Sequence, residues 1–208
     1  MSEKEKKEYS VKIILLGEMS VGKTSLINVY LNENKFNPNE MTSTHSSQIF
    51  ANLEIKNTIL EISLWDTMGQ EQFRSVTKNF IKGSNIVILV YDITNRVSFL
   101  ELNYWLNVSR EEVQNDAIFG VVGNKVDLFN NCEVQKEEGE EFANEIGALF
   151  TETSAKDTPI GFRNFVKQLL EKLMSDPKMI ENLEFIVKER KKSVRLVNAP
   201  KTKEKKCC

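Results

Sequence analysis

Eight residues, Gly17-Glu18-Met19-Ser20-Val21-Gly22-Lys23-Thr24, carry the spacing G-x-x-x-x-G-K-[ST]. That spacing suits phosphate chemistry. Glycines let a backbone curl so that successive N–H groups face inward at a helix N-terminus, forming a socket for phosphate oxygens. The expected contacts run over Gly17, Glu18, Ser20, Val21, Gly22, Lys23, Thr24 and Ser25. Lys23 is expected to reach the outer phosphates, and the Thr24 hydroxyl to hold Mg²⁺. Such a loop specifies a nucleoside triphosphate without saying which one.

A second group, Asp66-Thr67-Met68-Gly69-Gln70-Glu71, suits hydrolysis. A strand-end carboxylate such as Asp66 partners Mg²⁺ through water, because the small ion keeps most of its hydration. Gly69 permits close approach of a backbone N–H to the terminal phosphate. Gln70 both accepts and donates, as the positioning of a water for in-line attack requires. A third group, Asn124, Lys125 and Asp127, selects the base. A carboxylate at Asp127 accepts from two adjacent donors, which guanine presents at N1 and N2 and adenine does not.

These groups need elements to bring them together. Val11–Leu16, Ile86–Tyr91 and Ile118–Val122 are continuously apolar, as expected of parallel strands buried on both faces. Each ends on a polar cluster, and in a doubly wound sheet such ends converge. Leu53–Ile55 and Ile59–Trp65 suggest a strand pair around Lys56-Asn57, the single antiparallel step. Ser25–Leu31, Arg96–Glu112 and Val134–Ile146 have helical character, Ala148–Thr151 is a last strand, and Thr153-Ser154-Ala155-Lys156 follows it. In the closing helix Phe162, Phe165, Val166, Leu169, Leu170 and Leu173 recur at three and four, a core stripe. Residues 32–47 have no helical period, and a loop that long points to a ligand-sensing segment. The expected architecture is one α/β domain, a six-stranded mostly parallel sheet with helices on both faces.

With 208 residues and 40% apolar composition the chain fills one core. No run of about 18 apolar residues is present, and the charged start lacks a secretory apolar segment, so a cytosolic setting is expected. Cys132 stands alone and Cys207-Cys208 are adjacent, which makes no disulfide framework. The net charge of −2 conceals a basic end: nine Lys or Arg against two Glu lie between Lys188 and Lys206. Such a run suits anionic headgroups, and a phosphate on Ser193 would weaken that attraction. No nucleic-acid partner is expected.

The motifs G-E-M-S-V-G-K-T, W-D-T-M-G-Q-E, N-K-V-D and E-T-S-A-K, in this order, resemble those of small GTPases of the Ras superfamily. Gln72-Phe73-Arg74-Ser75-Val76-Thr77, Leu89-Val90-Tyr91-Asp92-Ile93-Thr94-Asn95, Ser98-Phe99, Trp105 and the terminal Cys207-Cys208 narrow the likeness to the Rab family. The resemblance covers roughly Tyr9 to Leu173 and the last two residues. It implies a P-loop G domain over 9–175 after a flexible start at 1–8, with a hypervariable basic tail at 176–208. It also implies a GTP/GDP-cycling switch in vesicle trafficking, with Gln70 and Lys23 catalytic. Ser154, Ala155 and Lys156 would join the guanine contacts, and Phe36 would flank the base or ribose. Cys207 and Cys208 would be prenylated, two chains giving stable anchoring where one does not. The implied partners are exchange factors, GTPase-activating proteins, effectors, prenyl-delivery machinery and an anionic membrane. The implied location is the cytoplasmic face of intracellular membranes with a cytosolic pool.

Three departures from the family pattern stand out. The loop Thr42-Ser43-Thr44-His45-Ser46 lacks the family's Thr-Ile-Gly signature, leaving Ser43 or Thr44 as the further Mg²⁺ ligand. Its His45 is read as an exposed loop residue. Met19 and Met68 stand where the family has small residues, and their long side chains would crowd an attacking water or an arginine finger and slow hydrolysis. The alternative is therefore a GTP-binding interaction module with little hydrolysis. An ATP-using phosphotransferase fails on Asp127 and on the lack of an acceptor site.

Overall fold

The computed structural model describes residues 7–31, 48–55, 58–66, 74–113 and 117–183. Six strands, β1 (Lys7–Leu16), β2 (Gln48–Ile55), β3 (Thr58–Asp66), β4 (Ile86–Asp92), β5 (Ile118–Asn124) and β6 (Leu149–Thr153), form one sheet in the order β2-β3-β1-β4-β5-β6. Among the described residues only the β2–β3 pairing is antiparallel; β1–β3, β1–β4, β4–β5 and β5–β6 are parallel. The sheet is the one expected.

Both faces of the sheet are covered, as its apolar runs require. Val11, Ile13 and Leu15 of β1, with Ile86, Ile88 and Val90 of β4, enter one core. Ile14, Leu16, Val87, Leu89 and Tyr91 enter the other. This is the two-residue alternation of a strand, apolar on both sides because helices lie on both sides. On the first face sit α1 (Lys23–Leu31) and α6 (Pro159–Leu173). The stripe Phe162, Phe165, Val166, Leu169, Leu170 and Leu173 is wholly buried there. A methyl group on Gly120 would stand 2.9 Å from the Phe165 ring, so the bare glycine is what lets the helix close on β5. On the second face sit α4 (Leu102–Glu112) and α5 (Lys136–Ile146), with α2 (Arg74–Ile81) against α4 and α3 (Arg96–Leu100) against β4.

Several boundaries differ from the sequence reading, β2 among them, which begins at Gln48 and not at Leu53. The helical run Arg96–Glu112 is broken at Glu101, which closes α3 and opens α4. β1 begins four residues early, because Lys7, Glu8, Tyr9 and Ser10 pair in register with Thr58 to Glu61 while only Tyr9 is buried. Apolar packing also continues past Ser175-Asp176-Pro177, where the expected G domain ends. Residues 177–183 are helical; Met179 and Ile180 pack on the first core and Leu183 is fully buried in it. Pro177 opens this turn instead of ending the fold, since a proline fits a helix's first position.

Candidate functional site

The chain builds β3 on one flank of β1 and β4 on the other, so a crevice opens beyond the carboxyl end of β1. The loop joining β1 to α1 fills it. Its backbone is unusual: φ is +150° at Gly17, 63° at Ser20 and 99° at Gly22. A side chain on Gly17 would collide with the Val90 carbonyl oxygen, and one on Gly22 with the Asn124 amide. Both glycines are thus demanded by approach as well as by torsion. Val21 and Ser25 are buried, whereas Met19 is 63% exposed at the rim.

Lys23 is buried and donates 2.7 Å bonds to the carbonyls of Gly17 and Glu18, so its ammonium is held inside the curl of the loop. Thr24 Oγ1 donates to Asp66 Oδ2, which joins the first turn of α1 to the end of β3. Asp66 is buried. A hydroxyl and a carboxylate meeting this closely are an oxygen donor pair that fits a hard cation such as Mg²⁺.

Asn124, at the end of β5, spans two segments. Its Nδ2 donates to Val21 O at 2.8 Å, and its Oδ1 accepts from Ala155 N at 3.3 Å. The phosphate-type loop and the Ser154-Ala155-Lys156 turn are therefore tied through one side chain. Ser154 Oγ donates to Asp127 Oδ1 at 2.5 Å and accepts from Lys156 N and Asp157 N at 3.1 and 3.0 Å. Thr158 steadies the turn by accepting from Ser154 N at 2.9 Å. Lys125, in the left-handed conformation with φ 69°, places its ammonium 2.5 Å from Asp92 Oδ2.

The structure thus gathers Gly17, Glu18, Ser20, Val21, Gly22, Lys23, Thr24, Ser25, Asp66, Asn124, Lys125, Asp127, Ser154, Ala155 and Lys156 at one end of the sheet. Phe36, Ser43, Thr44, His45, Met68, Gly69, Gln70, Cys207, Cys208 and the basic run lie outside the described residues. Two contributors escaped the sequence reading. Asp92 meets Lys125, and the Trp105 indole N–H donates to Glu18 Oε1 at 3.2 Å, from α4 to the loop. For Asp92 a signal existed, a carboxylate closing an apolar strand. For the Glu18–Trp105 pair none did, since the partners lie far apart in the chain.

Comparison with known proteins agrees with this arrangement. The model of the Ras family matches residues 12–175. The chain is 35% identical over 178 residues to the Ras-related protein Rab-2B of Dictyostelium discoideum, covering 84% of this chain and 88% of that protein. It is 41% identical over 148 residues to the Ras-related protein Rab-21 of Bos taurus, and 40% to that of Homo sapiens. Those matches cover 71% of this chain and 66% and 65% of the Rab-21 proteins, slightly under two thirds of their length. With its sheet order, its strand-end constellation and these likenesses in agreement, the chain belongs to the Ras family and is a Rab-type small GTPase.

Proposed function

We propose that the crevice beyond β1 holds GTP or GDP with Mg²⁺, and that the chain cycles between the two nucleotides as a switch in vesicle trafficking. The observation that carries this reading is Asn124, whose one amide ties the loop of Gly17–Thr24 to the turn of Ser154–Lys156. Phosphate and base would be read by a single connected frame. In this reading the loop's N–H groups surround the phosphates, Lys23 neutralises their outer oxygens, and Asp127 accepts from the guanine edge with Ser154, Ala155 and Lys156 beside it. Phe36 flanks the base or ribose. Thr24, Asp66 and either Ser43 or Thr44 would hold Mg²⁺. When bound, that ion supplies positive charge to the β- and γ-phosphate oxygens.

Hydrolysis follows as water attack on the γ-phosphorus, breaking its bond to the bridging oxygen and leaving GDP and phosphate. Gln70 orients the water, Gly69 offers its N–H to the γ-phosphate, and Lys23 offsets the charge that develops on the leaving oxygen. Loss of the γ-phosphate would release the segments around 42–47 and after Gly69, which is how the state reaches a partner. Exchange factors, activating proteins, effectors and prenyl-delivery machinery would act on those states. Prenylation of Cys207 and Cys208, with the basic run, would anchor the protein on cytoplasmic membrane faces. Among the described residues no helix is long and apolar enough to cross a membrane.

A single-turnover experiment tests the reading: load the full chain with GTP, start with Mg²⁺, and identify the bound nucleotide over hours. Conversion to GDP supports the switch. Persistent GTP would favour the interaction-module alternative. Met19, exposed at the loop's rim, is expected to slow the step. Replacing Met19 and Met68 by small residues should raise the single-turnover rate, and an unchanged rate rejects the crowding idea.

A further inference from the structure

Asp92 closes β4 with a buried carboxylate that is fully engaged. Its Oδ1 accepts from Thr94 N at 2.9 Å and from Thr94 Oγ1 at 2.8 Å, and its Oδ2 lies 2.5 Å from the Lys125 ammonium. The backbone behind it is braced as well. Asp92 N donates to Ser98 Oγ at 3.0 Å, and Ser98 has no exposed surface. Asp92 is also the register partner of Asn124 across the β4–β5 pairing, and the neighbouring Ile93 N donates to Asn124 O at 3.1 Å. The carboxylate therefore sits on a braced strand end, paired with Lys125, the residue after Asn124.

What it holds is a residue in a costly conformation. Non-glycine residues at positive φ persist only where their surroundings over-determine them, and Lys125 has φ 69°. On the chain's forward side, Leu128 N donates to Lys125 O at 2.9 Å and Asp127 is bonded to Ser154. On the side-chain end the holding group is Asp92. With its ammonium paired to Asp92, the Lys125 side chain is tied at its far end to the end of β4. We propose that Asp92 is a positioning residue for nucleotide retention, holding Lys125 by its ammonium and so fixing the left-handed turn that sets Asp127 against the base. This rests on the guanine-nucleotide reading of the crevice.

The test is release of a fluorescent N-methylanthraniloyl GDP from the full chain, in Mg²⁺ and excess unlabelled GDP. Asp92→Asn keeps the shape and the acceptor for Thr94 but removes the charge. It should speed release roughly tenfold, the scale of one charge-assisted hydrogen bond. Lys125→Met should speed it as well. In the Lys125→Met background the carboxylate is buried without its cation, so adding Asp92→Asn should leave the rate unchanged or slow it. Multiplying effects of the two substitutions would mean that Asp92 acts through the fold generally, and would overturn the proposal. So would a rate for Asp92→Asn equal to wild type. Should Asp92→Asn not fold, Lys125→Arg decides: it keeps a cation within reach of Asp92 and must release more slowly than Lys125→Met, and equal rates overturn the proposal. A wild-type protein that does not retain the labelled GDP overturns the nucleotide reading and this proposal together. Retention by wild type with an unaltered Asp92→Asn overturns the proposal alone.

Discussion

Asp127 already has one partner in the Ser154 hydroxyl, which donates to its Oδ1. Asp127→Asn is expected to weaken guanine binding and favour xanthine nucleotides, because the amide accepts where xanthine keeps a donor and donates to its extra oxygen. Nucleotide competition on the purified chain checks this, and an unchanged guanine preference removes Asp127 from the role. Gly22→Ala is expected to lower nucleotide affinity about 5- to 150-fold, since strain at a special backbone position is of order 1–3 kcal/mol. The added methyl also pushes directly on Asn124, the tie between loop and turn. Titration with labelled GDP measures it. Both residues were legible in the chain because their spacing is local and short. The partners of Asp92 and Trp105 were not, because a carboxylate or an indole acquires its partner only when strands and helices assemble.

The strands behind these residues were legible for a different reason. β4 and β5 are apolar almost without interruption, and only a sheet covered on both faces asks for that. The break at Glu101 left no such trace, since helical spacing continues through it. β2 was read short because Ile49, Phe50 and Ala51 run together and hide the alternation that the strand adopts, Phe50 being exposed between half-buried Ile49 and Ala51. Strand β6 carries a testable charge. Burial raises the pKa of the Glu152 carboxyl, with Lys136 opposing and Glu137 and Glu140 adding to the rise. A folded pKa above the unfolded one means that ionised Glu152 disfavours the fold at neutral pH. That cost disappears as pH falls through the raised folded pKa to below the unfolded one. Glu152→Gln should therefore shift the urea midpoint upward at pH 7, and the gain should vanish in acid. A gain independent of pH would assign the effect to packing instead.

For the molecule as a whole, the segment after α6 matters more than its composition suggests. The Ser175-Asp176-Pro177 break looks like a domain end in sequence, and Ile180 to Val187 beyond it reads as a short helix in a linker, not as part of the core. Yet Leu183 has no exposed surface and lies among residues of the first core. Leu183→Ala should cost about 2–5 kcal/mol of stability, as for other buried leucines, and a chain ending at Ser175 should unfold at lower denaturant than one ending past Leu183. Equal midpoints would make the helical turn an ornament of the fold. The same contact sets a mooring length. If Cys207 and Cys208 carry the membrane anchor, the line to the bilayer is paid out from Leu183 and not from Leu173. Its reach is then at most about 90 Å fully extended, at roughly 3.3–3.6 Å per residue. The distance at which this switch can meet a partner on a facing membrane is thus limited by where one leucine is fastened.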